Sequence, residues 1–272
     1  MPGGAILRSS LREQIADALR DEILTGRLPA GGRFTVKEIA DLYGVSATPV
    51  REALVDLASQ GLLDVEHHWG FTVRRFTPAD FESIVEARAL VVEGVLRRVA
   101  EQGECPPMPD EALASVRRRG EAALRACAAG QLDVLIGCDL RYWRELTALT
   151  GNRHLHEFLD RLSVQAWMFR VPYLRLHNDL ASVVWREYTV LVDALAARDT
   201  GTVRRILREY NAHLLTVVRD LAAPDTTPGT ASDAAAVPRQ VEGKPGTGAG
   251  AAKPGREEED RPPGPQRRTA RR

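Results

Sequence analysis

The chain is short of lysine, of cysteine and of net charge, and each shortage removes a class of explanation. Lysine stands only at positions 37, 244 and 253, so the cations are almost all arginine. Thirty-seven Lys and Arg balance 37 Asp and Glu, so bulk charge singles out neither a nucleic acid nor an anionic membrane as partner. Cys105, Cys127 and Cys138 are an odd, scattered set that fits neither a disulfide framework nor a paired zinc motif, and they read as buried reduced thiols. No run of about 18 apolar residues occurs, and "MPGGAILRSSLREQ" has no hydrophobic signal segment. These absences predict a soluble, cytoplasmic protein with no membrane partner. Catalytic signatures are missing as well. There is no glycine-rich phosphate loop after a strand, no Gly-x-Ser-x-Gly elbow and no His-Glu-x-x-His pair, so the expectation is not an enzyme.

What is present is 44% apolar residues, enough for a sizeable core, arranged in three stretches. From Pro224 the chain is Pro, Gly, Ala and charge with almost no large apolar side chain, which predicts a disordered tail over 223–272. Residues 8–75 predict a winged helix-turn-helix. Ser10 with Glu13 and Thr35 with Glu38 form capping boxes ahead of two helices, and Gly26 and Gly44 stop them. Ser46 caps a third helix with Pro49 in its first turn and Val50, Leu54 and Leu57 on its core face. "LLDV" and "FTV" then make a two-stranded wing around "EHHWG". Residues 77–222 predict an all-α bundle of six helices. The first is opened by Thr77, Pro78 and Asp80, and the others cover about 110–129, 131–150, 152–170, 178–197 and 200–222. The fold class is therefore mainly α, and a helical bundle places ligand sites between its facing helices.

The third helix opens on "SATPVRE", small and charged where an apolar start would be ordinary. In a helix-turn-helix that end enters the major groove. Arg51 suits guanine or a phosphate, while Ser46 and Thr48 suit phosphates. Lys37 can clamp the flanking backbone, and His67, His68 and Trp69 beside Gly70 can follow the minor groove. Against this, residues 1–75 hold nine Lys and Arg to ten Asp and Glu, a balance of −1 that is unusual for a DNA-binding module. A winged helix used for protein contact therefore stays open at this point.

"GRLPAGGRFTVKEIADLYGVSATPVREALVDLASQGLLDVEHHWGFTV" resembles the DNA-binding domain of the GntR family of bacterial transcription regulators. One position departs: the family usually has Arg between the Ser and the Thr, a contact to DNA bases, and this chain has Ala47. The resemblance carries Lys37, Ser46, Thr48 and Arg51 as DNA contacts but not position 47. One lost guanidinium contact is worth about 1–3 kcal/mol of base discrimination, so an altered or relaxed operator is expected, not lost binding. "EARALVVE", "DLRYWRELTALTGNRHL" and "REYTVLVDALAARDTGTVRRILREYNAHL" resemble the FadR-type, or FCD, effector domain.

Relatives of that domain commonly hold a divalent metal through one Asp and three His. Asp139 stands where the Asp is expected, but the three His positions are Trp143, Tyr188 and Tyr210, so no cofactor is expected. Two readings remain for these aromatics. They can line a metal-free effector pocket with Asp139 and Arg88 as polar contacts, or they can simply fill the space. The resemblance implies a homodimeric regulator, a repressor in the first instance, that binds a pseudo-palindromic double-stranded operator and answers to a small-molecule effector. The alternative is an effector-independent DNA-binding or scaffold protein with a packed helical domain.

Overall fold

The computed structural model describes residues 10–66, 70–102, 108–177 and 179–221. His67, His68, Trp69, Cys105 and the expected tail lie outside these residues. The first helix, α1 (Leu11–Leu24), starts at the expected capping box, with Glu13 N–H on Ser10 Oγ at 3.2 Å and Ser10 N–H on Glu13 Oε2 at 2.9 Å. The same reciprocal pair of bonds joins Thr35 and Glu38 ahead of α2 (Val36–Tyr43). That helix ends on Gly44 at φ 65°, a left-handed conformation that costs glycine little. Two residues on begins α3 (Ala47–Ser59), whose N-cap Ser46 makes no side-chain capping bond. Its hydroxyl is thus not committed to the helix it precedes.

The wing carries one strand more than the sequence predicts. Besides β2 (Leu63–Glu66) and β3 (Gly70–Val73), Arg33 and Phe34 form β1, and the order is β1-β3-β2 with antiparallel pairing throughout. The Gly/Pro loop obscures two residues of strand, because only their pairing with Phe71 and Thr72 defines them. Gly70 makes this possible. It sits at φ 93°, and a Cβ there would lie 2.6 Å from the Phe34 carbonyl oxygen. Ile15, Leu19 and Ile23 of α1, Val50, Leu54 and Leu57 of α3, and Phe34, Phe71 and Val73 of the sheet form the buried centre of this first domain.

The helical domain begins with α4 (Pro78–Gln102), capped by Thr77 and Asp80 through bonds of 2.8 and 3.2 Å. It continues through α5 (Asp110–Ala128), α6 (Leu132–Ala148), α7 (Arg153–Leu174), α8 (Leu180–Val183), α9 (Tyr188–Ala196) and α10 (Thr200–Leu221). Two boundaries differ from expectation. Helix α7 runs through Pro172 to Leu174 rather than stopping near 170. Proline there forgoes one helical hydrogen bond in the last turn, a loss that burial of Phe169, Val171 and Leu174 offsets. The helix expected over 178–197 is two pieces, because the chain extends at Val184 (φ −95°, ψ 136°). This break seats Trp185 among other buried rings and leaves the Val183 carbonyl to the His213 imidazole at 3.1 Å. Among the described residues no helix is long and apolar enough to cross a membrane.

Close approach sets the packing of α5 against α9. A Cβ on Gly120 would meet the Tyr188 Cβ at 2.7 Å. Gly120→Ala is expected to destabilise the fold by about 1–3 kcal/mol through overpacking. That exceeds alanine's helix advantage of about 1 kcal/mol. The urea midpoint of the variant measures the balance.

Candidate functional site

Helix α3 presents an outward face of Ser46, Ala47, Thr48, Arg51, Glu52 and Val55, all exposed, while Val50, Ala53, Leu54 and Leu57 are buried beneath it. Lys37 is exposed at the start of α2. Five of the first domain's cations are paired within it. Arg12, Arg20, Arg27, Arg33 and Arg74 each face a carboxylate of their own domain. Among its described cations that leaves Lys37, Arg51 and Arg75 without a carboxylate at ion-pair distance. Asp21, Glu38, Asp41, Glu52 and Asp56 are likewise without a cation at ion-pair distance among the described residues, so pairing does not make the α2–α3 side positive, and Lys37 and Arg51 stand there as individual cations beside Glu38, Asp41 and Glu52.

In the helical domain Asp139 is only 2% exposed. Its Oδ1 accepts from Tyr188 Oη at 2.7 Å and Trp143 Nε1 at 3.2 Å, and its Oδ2 accepts from Trp167 Nε1 at 2.6 Å. Trp143, Trp185, Tyr188 and Tyr210 stack edge to face or tilted around it, with centroids 4.7–6.0 Å apart. Tyr142 adds a bond from its hydroxyl to the Tyr188 carbonyl at 2.8 Å. Burial first, and the Asp139 charge second, hold the Tyr142 and Tyr188 phenols well above their ordinary value. Tyr210 is raised too, mainly by burial. In the unfolded chain these phenols ionise near pH 10. Their stabilising contribution is therefore complete below about pH 10 and declines as pH rises toward their folded values. The unfolding temperature is expected to fall steeply above about pH 10, with tyrosinate absorbance appearing only as the fold is lost.

These donors do not suit a divalent metal. Both Asp139 oxygens are occupied, and Trp143, Tyr188 and Tyr210, the positions where the resemblance leads one to expect imidazoles, are an indole and two phenols of raised pKa. His156 meets Thr147, His213 meets Val183, and among the described residues no cluster of three or more metal-ligating side chains forms.

Arg88 sits beside this cluster, 8% exposed. It donates to Asn211 Oδ1 at 2.9 Å and weakly to Tyr210 Oη at 3.4 Å, and it lies over the rings of Tyr210 and Trp143 at 4.2 and 5.2 Å. Desolvation pushes its pKa down, although Tyr210 and Asp139 act in the other direction. Arg88 and Trp143 border a cavity of about 140 Å³ between α4, α6, α7, α9 and α10, walled chiefly by aliphatic side chains. Of the residues expected around an effector, Asp139, Tyr188 and Tyr210 are not in its lining. Tyr188 Oη is bonded to Asp139, and Tyr210 Oη accepts from Arg88. Sequence reasoning missed Trp167, Trp185 and Asn211. A tryptophan on the buried face of a helix needs a partner for its N–H, and this was the available signal for Trp167.

Residues 11–73 match the model of the gntR family of bacterial regulatory proteins, and residues 83–213 match the FCD domain. The chain belongs to the GntR family, in its FCD-bearing branch. It is 29% identical over 211 residues to a probable D-xylose utilization operon transcriptional repressor of Paenarthrobacter nicotinovorans, covering 77% of this chain and 89% of that protein. The transcriptional repressor GlaR of Escherichia coli is 25% identical over 210 residues, covering 74% and 90%. Among solved structures, E. coli McbR/YncC superposes with a TM-score of 0.62 at 26% identity, over 79% of this chain and 98% of that one. This GntR regulator is thus a DNA-binding transcription factor with an effector-type domain, and not an enzyme.

Proposed function

We propose that this regulator is a homodimeric repressor whose affinity for a pseudo-palindromic operator is set by a small molecule in the α4–α10 cavity. The carrying observation is the double engagement of α7. On one side Leu159 and Ser163 line the cavity and Trp167 holds Asp139. On the other, Gln165 Nε2 donates to the Gln60 carbonyl at 2.9 Å and Arg175 Nη2 donates to the Thr25 carbonyl at 2.6 Å. Gln60 and Thr25 are the C-caps of α3 and α1, so α7 grips the ends of the DNA-reading helix and of its support. A ligand that favours one placement of α7 therefore biases the placement of α3, by no more than its differential affinity for the two arrangements. The repressor sign follows the relatives named as repressors. No metal takes part in this reading, and chelator treatment is expected to leave the Tm unchanged.

The test is a variant carrying Gln165→Ala and Arg175→Ala together. Both side chains are partly exposed at the domain junction, so operator affinity without ligand is expected to stay near the parent value. The ligand response, typically 5- to 150-fold for coupled sites, is expected to collapse toward unity. Operator affinity that never responds to any cavity ligand, in parent or variant, would favour the effector-independent alternative. The dense aromatic packing around Asp139 is the observation on that side.

A further inference from the structure

We propose that residues 261–272 are a second DNA-contacting segment, which neutralises phosphates of the duplex flanking the operator while α3 reads its bases. The segment, "RPPGPQRRTARR", carries Arg261, Arg267, Arg268, Arg271 and Arg272 and no acid. Glu257, Glu258, Glu259 and Asp260 stop at its edge, so the charge is segregated into blocks rather than mixed. A basic block of this kind suits a polyanion better than a single carboxylate.

The first domain leaves room for such a contribution. Affinity for duplex DNA comes largely from phosphates neutralised by Lys and Arg. Residues 1–75 hold nine such cations against ten acids, and Arg12, Arg20, Arg27, Arg33 and Arg74 are paired with carboxylates of the domain. Lys37 and Arg51 stand beside Glu38, Asp41 and Glu52. Such a face can discriminate bases but attracts a polyanion only weakly.

The fold also delivers the segment to the appropriate end of the helical domain. Helices α4 and α10 run antiparallel, with Arg204 on Glu93 at 3.1 Å and Arg219 on Glu82 at 3.8 Å. Val217 and Val218 bury the last turns of α10. The chain therefore leaves α10 at Leu221 beside the start of α4, which directly follows wing strand β3 in sequence. About forty residues separate Leu221 from Arg261, and covalent geometry lets that length span up to about 130 Å. Docking of α3 thus places the arginines at high effective concentration near the flanking duplex. A lipid surface fits less well, because the segment has no apolar side chain larger than proline to enter a bilayer interface. Phosphates carry no sequence, so the segment adds affinity and not discrimination.

The experiment compares the full-length protein with a full-length variant in which all five arginines are glutamine. Anisotropy titrations across salt concentrations use a duplex of arbitrary sequence about four helical turns long and the same duplex carrying the selected inverted repeat. The slope of log affinity against log salt is expected to fall by about 0.9 for each arginine on a phosphate, and by about 4–5 if all five engage. Affinity at physiological salt is expected to drop at least about tenfold for both duplexes. The Tm is expected to stay unchanged, since the five positions lie outside both matched domains. Lysine at all five positions should keep the slope, because a phosphate contact depends on charge more than on guanidinium geometry. Should the glutamine variant fail to fold, Arg271→Gln with Arg272→Gln is expected to lower the slope by about 2. A glutamine variant whose slope and affinity match the parent, a lysine variant that loses the slope, or a loss confined to one duplex would overturn the proposal. Weakened binding of a single-stranded RNA of the same length, with the duplex slope intact, would overturn it in favour of an RNA partner.

Discussion

Asp139→Ala is expected to lower the stability of the fold by about 3–5 kcal/mol, a large share of the roughly 5–15 kcal/mol available to a domain. The loss arises because three donors converge on this one carboxylate: the indoles of Trp143 and Trp167 and the Tyr188 phenol. Hydrogen bonds to a charged acceptor contribute about 1.5–3 kcal/mol each, and donors left buried without a partner add a desolvation cost. Removing the buried charge itself returns part of this, which is why the expected total stays well below the sum. Asp139→Asn should fall between parent and alanine variant, since the amide keeps one acceptor but turns an N–H toward a donor. Urea or thermal unfolding followed by tryptophan fluorescence gives both numbers. An alanine variant within about 1 kcal/mol of the parent would mean that the network contributes no more than an ordinary hydrogen bond.

Arg51→Ala should leave stability unchanged and remove operator recognition. The residue is exposed on the outward face of α3 and has no carboxylate partner, so the fold does not depend on it. A guanidinium contact to a guanine edge is worth about 1–3 kcal/mol, or about 5- to 150-fold in affinity for each half-site. Position 47 is alanine, so Arg51 is expected to carry the greater part of the base discrimination of this face. Lys37→Ala should act differently. A phosphate contact weakens all sequences alike and lowers the salt dependence of binding by about one counterion. Anisotropy titrations across salt concentrations separate the two, and a uniform loss in both variants would move Arg51 from base to phosphate.

The first domain was legible residue by residue because its signals are local. Ser10 with Glu13, Thr35 with Glu38 and the stop at Gly44 are decided within four residues, and each is found in place. Strand β1 was not legible, since Arg33 and Phe34 are strand only by virtue of a partner some forty residues away. The helical domain shows the same division. Its capped α4 start follows from the sequence, whereas the break at Val184 is made by Trp185 entering a cluster drawn from three helices. The candidate site was half visible. Asp139, Trp143, Tyr188 and Tyr210 were expected together and are together, but spacing could not say that they would satisfy one another and leave the open volume next door. Nor could it reveal that Arg88 would be buried there without an acidic partner, because that depends on where every nearby carboxylate points.

The most direct test of the account is selection of fragments of the organism's own genomic DNA by the purified protein at fixed physiological salt, run in parallel with Arg51→Ala. The account predicts that the parent enriches a short inverted repeat and that the variant, equally folded, enriches nothing above background. No enrichment by the parent, or the same repeat recovered undiminished by Arg51→Ala, would contradict it.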